Sequence, residues 1–260
     1  MAKITVSSVG LDVPLYTQSG EISRSWADAI RGAALARPSR GLVTLLDGIT
    51  FEANDGDRIA IIGRNGAGKS TLLQTLTGAY QPTRGTVSVE GTRHALMNMS
   101  LGFNSDATVV ENILLRSSAM GVRLRDVGRL IDPVLEFSGL AGKAHHRLRT
   151  LSSGQRMRLG FAISTSTQHD IMILDEWIGT GDAEFMERAK ERMMSKVGGS
   201  KIVILATHSL GLIRQVCNRA ILIDRGRMKS VGSVTKVVSV YRDLLRRYAF
   251  QESLARKAAG

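Results

Sequence analysis

The stretch Arg58-Ile59-Ala60-Ile61-Ile62-Gly63-Arg64-Asn65-Gly66-Ala67-Gly68-Lys69-Ser70-Thr71 decides the fold. Its apolar run, Ile59 to Ile62, lacks polar alternation, as a strand buried on both faces requires. Leu72-Leu73-Gln74 then opens a helical pattern. Between strand and helix, Gly63 to Ser70 satisfies G-x-x-x-x-G-K-[ST] in the context where that motif cradles phosphate. The glycines let the backbone turn tightly and aim its N–H groups at phosphate oxygens, which makes Gly63, Asn65, Gly66, Ala67, Gly68, Lys69, Ser70 and Thr71 the nucleotide-contacting set. Lys69 is expected to reach the β- and γ-phosphates, and the Ser70 hydroxyl to ligate Mg²⁺. A plain glycine-rich turn is the competing reading; strand, loop and helix together disfavour it.

Working outward, four apolar residues, Ile171 to Leu174, run into Asp175-Glu176. A carboxylate at the end of a buried strand is costly unless a cation neutralises it, so Asp175 reads as the acid beside Mg²⁺. Glu176, one residue on, emerges at the strand's carboxyl edge, where it can polarise a water for attack on a γ-phosphoryl group. A second buried run, Ile202 to Ala206, ends in Thr207-His208. A lone histidine is usually structural. At the mouth of a strand parallel to that of Asp175, however, His208 becomes a γ-phosphate sensor.

Leu151-Ser152-Ser153-Gly154-Gln155 adds a second phosphate grip, because N–H groups and the positive dipole end converge at the start of the helix that follows. Walker A (Gly63 to Ser70), this signature, Walker B (Ile171 to Asp175) with Glu176, a D-loop around Asp182 and the switch His208 together resemble the ATPase subunits of ABC transporters, in order and spacing, over most of the chain. The resemblance implies a P-loop α/β fold with a RecA-like core, an antiparallel β-subdomain, a helical subdomain and a C-terminal helix. It implies ATP and Mg²⁺ as ligands and a head-to-tail homodimer. Ser152, Ser153, Gly154 and Gln155 of one subunit would then face the ATP held at Lys69 of the other, with Asp182 also at the nucleotide. Ser153 stands where the family usually has glycine; it crowds the loop slightly and adds a hydroxyl donor.

The variable parts resemble exporters of bacterial surface polysaccharides: Trp177-Ile178-Gly179-Thr180-Gly181-Asp182 after Glu176, Leu101-Gly102-Phe103-Asn104, and Val238-Ser239-Val240-Tyr241-Arg242-Asp243-Leu244-Leu245. That resemblance implies a lipid-linked glycan cargo, two copies of a polytopic permease as partner and a place at the cytoplasmic face of the cell membrane. Two family positions depart. Asn98 stands near the place of the Q-loop glutamine, which makes it a metal-side candidate, and Tyr16 matches the aromatic that stacks on adenine. No appended carbohydrate-binding domain is expected after the C-terminal helix.

The resemblance implies one ABC ATPase domain over 1–260, and the length fits one large domain or a domain with a lobe. The apolar segments separated by Asn54-Asp55-Gly56-Asp57 predict strands, and Ala220 to Val231 a hairpin. Residues from about 101 to 165 read as a helical lobe, and 233–257 as an amphipathic helix striped by Val234, Val237, Val238, Tyr241, Leu244, Leu245 and Tyr248. Glu21 to Arg40 reads as a helical insertion ended near Pro38, placed to face the membrane or the polymer. The single Cys217 excludes an internal disulfide and reads as a small buried residue. The N-terminus lacks a signal-peptide core, and no apolar run approaches the ~20 residues of a spanning helix. A formal charge of +12 calls for an anionic neighbour. It keeps open a soluble ABC ATPase acting on nucleic acid or ribosomes, although no nucleic acid is expected here. That class usually carries two ATPase domains or a long coiled-coil insertion. A small-solute importer is disfavoured by the D-loop form.

Overall fold

The computed structural model describes residues 1–17, 39–97, 102–176 and 183–259. Two sheets organise them. One is antiparallel, with strand order β2-β1-β4: β1 (Lys3–Thr17), β2 (Ser39–Asn54) and β4 (Arg84–Glu90). The other has order β5-β6-β7-β3-β8-β9, built from β3 (Arg58–Ile62), β5 (Arg93–Leu96), β6 (Ile171–Asp175), β7 (Ile202–Ala206), β8 (Arg219–Asp224) and β9 (Arg227–Ser233). Its strands run parallel except for the β8–β9 hairpin.

The continuous apolar runs have a direct cause in this sheet. Ile59, Ile61, Ile171, Ile173, Ile202 and Ile204 face one core, while Ala60, Ile62, Met172, Leu174, Val203 and Leu205 face another. The first core also takes α1 (Lys69–Thr77) and the inner face of the antiparallel sheet. The second takes α5 (Ala183–Gly199), α6 (Leu210–Val216) and the start of α7 (Val234–Ala259). Helices therefore cover both faces, and the carboxyl ends of β3, β6 and β7 meet at one edge. Leu245 departs from the expected buried stripe of α7, being 38% exposed, because that stripe narrows once Val234, Val237 and Val238 have entered the core.

A third cluster is the helical lobe: α2 (Val109–Ala119), α3 (Leu124–Ser138) and α4 (Ser153–Ser164). Asn112 is fully buried there, yet its amide is satisfied: Oδ1 accepts from Asn104 N (2.8 Å) and Nδ2 donates to Asn104 O and Thr108 O (2.9 Å each). The lobe joins the core through stacked and edge-on rings of Phe137, Phe161 and Phe185, 5.7–5.8 Å apart. Of the expected insertion, residues 21–38 lie outside the described residues. Its last two, Ser39 and Arg40, are strand rather than helix, since they already pair with Thr17 and Tyr16 in the antiparallel ladder. No helix among the described residues is long and apolar enough to cross a membrane. Cys217 is buried, which pushes its thiol up to about 12.

Burial of His94 predicts an acid-sensitive contribution to stability. His94 on β5 stacks on His169 at 4.8 Å, and its buried Nε2 has no partner among the described residues. Burial first, then the neighbouring His169 and Arg116, hold its pKa down to about 4, from 6.5. Between those two values the unfolded chain binds a proton that the folded chain refuses. The His94 contribution to stability is therefore expected to be lost as pH drops from about 6.5 to about 4, by roughly 3 kcal/mol at most, before the carboxylates with lowered pKa values, such as Asp170 and Glu111, begin to lose theirs. Urea midpoints measured across that window check this; His94→Phe should flatten the slope, and an unchanged slope would refute the assignment.

Candidate functional site

The phosphate loop passes from the buried end of β3 into α1, and its neighbours impose its shape. A Cβ at Gly63 would collide with the Ile223 carbonyl of β8. Gly68 sits before α1 at φ +104°, with Leu45 O 3.2 Å from where a Cβ would stand, so both position and dihedral demand glycine. Gly226 N donates to Ala67 O (2.9 Å), and Asp47 N to Gly226 O (2.8 Å), which stitches the β8–β9 turn to the loop on one side and to β2 on the other.

Lys69 opens α1, yet only 9% of it is exposed. Its Nζ donates to the carbonyls of Gly63 (3.0 Å) and Arg64 (3.1 Å) and lies 3.5 Å from His208 Nε2. His208 Nε2 in turn lies 3.7 Å from Glu176 Oε1. Three residues from separate segments thus converge, with the imidazole between a cation and a carboxylate. Burial lowers the Lys69 pKa, and Glu176 and Asp175 oppose that shift.

Asp175 ends β6 opposite Ala206 of β7 and is half-buried. At Glu176 the chain adopts φ +69°, a left-handed conformation that costs a non-glycine residue roughly 1–2 kcal/mol, while its N–H is held by Ala206 O at 2.8 Å. The strained turn leaves the Glu176 side chain 55% exposed at the sheet's carboxyl edge. Ser70 is exposed on the first turn of α1. The Ser70 hydroxyl and the Asp175 carboxylate are hard oxygen donors of the kind Mg²⁺ takes, an ion that fills its remaining positions with phosphate oxygens and water.

A cavity of about 500 Å³ lies against the loop, walled by Val43 and Leu45 of β2, by Lys69 and Ser70, and by Arg225 and Gly226 of the β8–β9 turn. The walls from β2 and from that turn were not singled out in the sequence. A signal existed for the turn: Asp224-Arg225-Gly226-Arg227 closes a hairpin with Arg225 at φ +49°, where asparagine or glycine is usual.

Ser152 caps α4. Its Oγ accepts from Gln155 N (3.2 Å), and Gln155 Oε1 accepts from Ser152 N (3.1 Å) and from Lys143 Nζ (3.4 Å). The Gln155 side chain is committed to this cap, while Ser152, Ser153 and Gly154 are exposed. None of Ser152 to Gln155 lines the cavity at Lys69. Asn98 and Asp182 lie outside the described residues; Tyr16 pairs with Arg40 in the β1–β2 ladder, and its side chain likewise falls outside them.

Comparison with known proteins gives three findings. The family model described as "ABC transporter" matches residues 46–179. The chain is 36% identical over 231 residues to the O-antigen export system ATP-binding protein RfbB of Myxococcus xanthus, covering 88% of itself and 53% of that protein. It is 35% identical over 229 residues to the corresponding protein RfbE of Yersinia enterocolitica, covering 87% of itself and 96% of that protein. The chain therefore spans about half of one relative and nearly all of the other. Among solved structures, an ATP-binding subunit of an ABC transporter superposes with a TM-score of 0.67 at 21% identity, over 92% of each chain, and so shares the fold.

Proposed function

This chain belongs to the ABC transporter family, and from that premise we propose that it is the ATP-binding and ATP-hydrolysing subunit of an exporter of a lipid-linked polysaccharide. It works as a homodimer on the cytoplasmic side of the cell membrane, beneath two copies of a polytopic permease. The observation that carries the cargo class is the 35% identity to an O-antigen export ATP-binding protein across 96% of that protein's length.

The site supports an assignment of roles. The loop N–H groups and Lys69 bind the phosphates of ATP; Lys69 already has an ordered, desolvated ammonium at the loop's mouth. Ser70 and Asp175 would hold Mg²⁺, which when bound neutralises charge on the phosphate oxygens. Glu176 accepts the proton of the attacking water as its oxygen bonds to the γ-phosphorus and ADP leaves. His208, between Lys69 and Glu176, is placed to sense the γ-phosphate. Tyr16 is assigned to adenine, and Asn98 and Asp182 to the nucleotide's periphery, by the family resemblance.

Gly154 supports the second subunit. A Cβ there would meet no described atom within 4 Å, although glycine inside a helix costs about 0.5–1 kcal/mol relative to alanine. Nothing within the described chain accounts for it. The helix cap occupies the N–H groups of Ser152 and Gln155, which leaves those of Ser153 and Gly154 for an anion brought by a partner. We assign that anion to the γ-phosphate of ATP bound at Lys69 of the other subunit.

Purification of the tagged chain from its native cells tests the export reading. The permease is expected to co-purify in detergent, with ATPase activity in the complex. Capture of RNA instead, released between about 50 and 200 mM salt, would favour the nucleic-acid alternative that the +12 charge keeps open and would overturn export.

A further inference from the structure

Among the described walls of the cavity at the phosphate loop stand two cations, Lys69 and Arg225, and no carboxylate. Lys69 donates to two carbonyls. The Arg225 guanidinium makes no hydrogen bond or ion pair within the described residues; it approaches the Tyr248 ring at 5.4 Å, near the outer limit of a cation–π contact. A ring face satisfies no N–H, and Arg64 lies closer over the same ring, at 4.5 Å. Arg227, which follows in the same turn, shows what a structural cation looks like here: its Nε and a terminal nitrogen sit on Asp47 Oδ2 at 3.0 and 2.9 Å. Asp224 on the other side gives its Oδ2 to the Tyr248 phenol, at 2.8 Å.

The backbone under Arg225 is held against that cavity. Arg225 and Gly226 are the central residues of the β8–β9 turn between paired Asp224 and Arg227, at φ +49° and +74°. Two positive values in succession are the pattern of a type I′ turn, for which Asn-Gly is the favoured pair. Gly226 donates to Ala67 O and accepts from Asp47 N, so the turn cannot leave the left-handed region without releasing the phosphate loop. Arginine is strained there and asparagine is much less so. Neither the turn nor any acid within the described fold calls for a guanidinium at this position; a polyanion in the cavity does, because an exposed set of N–H donors on a permanent cation matches phosphate oxygens. Resting on the ATP-binding function proposed above, we infer that Arg225 is a further nucleotide-binding residue, whose guanidinium donates to the phosphate chain of the nucleotide seated at Lys69.

Calorimetric titration of the full chain with MgADP, and steady-state hydrolysis of MgATP, test this with two substitutions. Arg225→Asn removes the cation and supplies the residue that the turn favours; Arg225→Lys keeps the charge. Arg225→Asn is expected to bind MgADP about tenfold more weakly, the size of one charge-assisted hydrogen bond at an exposed site, and to raise KM for ATP by a similar factor with kcat within about twofold of native. Its nucleotide-free thermal midpoint should be no lower than that of the native chain, since asparagine tolerates the left-handed turn. Arg225→Lys should recover most of the lost affinity. Raising the salt from about 50 to 300 mM should narrow the gap between the native chain and Arg225→Asn, because the contact is exposed and electrostatic. Native affinity in Arg225→Asn, or binding by Arg225→Lys no tighter than by Arg225→Asn, would overturn the inference. A weaker affinity that arrives with a lowered midpoint would overturn it too, by assigning Arg225 to the fold. Failure of the native chain itself to bind MgADP or MgATP would instead refute the functional reading, a result distinct from a native chain that binds while Arg225→Asn is silent.

Discussion

Glu176→Gln is expected to leave ATP binding intact and to slow turnover by about 10²- to 10⁴-fold, the usual contribution of a general base. Gln keeps the size and shape of Glu and retains an oxygen toward His208, now 3.7 Å from the carboxylate, but an amide takes no proton from water. The left-handed turn at φ +69° and the Glu176 N–H bond to Ala206 O belong to the backbone and survive the change. With chemistry blocked and both grips intact, ATP should accumulate between two subunits, and the variant with MgATP should elute from gel filtration at twice the mass of the nucleotide-free chain. Native-rate hydrolysis by the Gln variant would remove Glu176 from the mechanism; a stalled variant that stays monomeric would remove the shared site.

What could be read from the sequence follows from how local each signal is. The β3–loop–α1 unit was legible because an unbroken apolar run, spaced glycines and Lys69 lie within a few residues of one another. The helix that starts after Leu151-Ser152 was legible for the same reason, whereas the capping box between Ser152 and Gln155 was found only in the structure. The strand β1 was not, since its register slips at bulges between Val6 and Asp12 and its apolar positions break step with a period of two. The walls that β2 and the Arg225 turn lend to the cavity depend on which strands become neighbours, and β8 joins β3 only through a long crossover. Tyr248 entered the reading as one member of an apolar stripe. That its ring meets Arg64 follows from how the far end of the chain packs back on the loop, which no local pattern encodes.

Lys69→Ala is expected to weaken ATP binding by about 10²-fold or more, because hydrogen bonds from a desolvated cation each contribute about 1.5–3 kcal/mol and Lys69 offers its donors to the phosphates where water is excluded. Stability separates this from simple unfolding. Without nucleotide the ammonium is a cation whose burial lowers its pKa, offset by Glu176 and Asp175, and it donates to two backbone carbonyls. Trading it for a methyl group removes that desolvation along with those bonds, so the nucleotide-free variant should melt close to the native chain. The native chain, at a MgATP concentration 100 times its dissociation constant, should gain about 2.7 kcal/mol of stability through ligand binding alone, and the Ala variant almost none. Thermal unfolding with and without MgATP reads both terms in one experiment. An equal ligand-induced shift in the two proteins would mean that the phosphates are held elsewhere, and Glu176, His208 and the Ser152–Gly154 step would then lose the substrate they are assigned to.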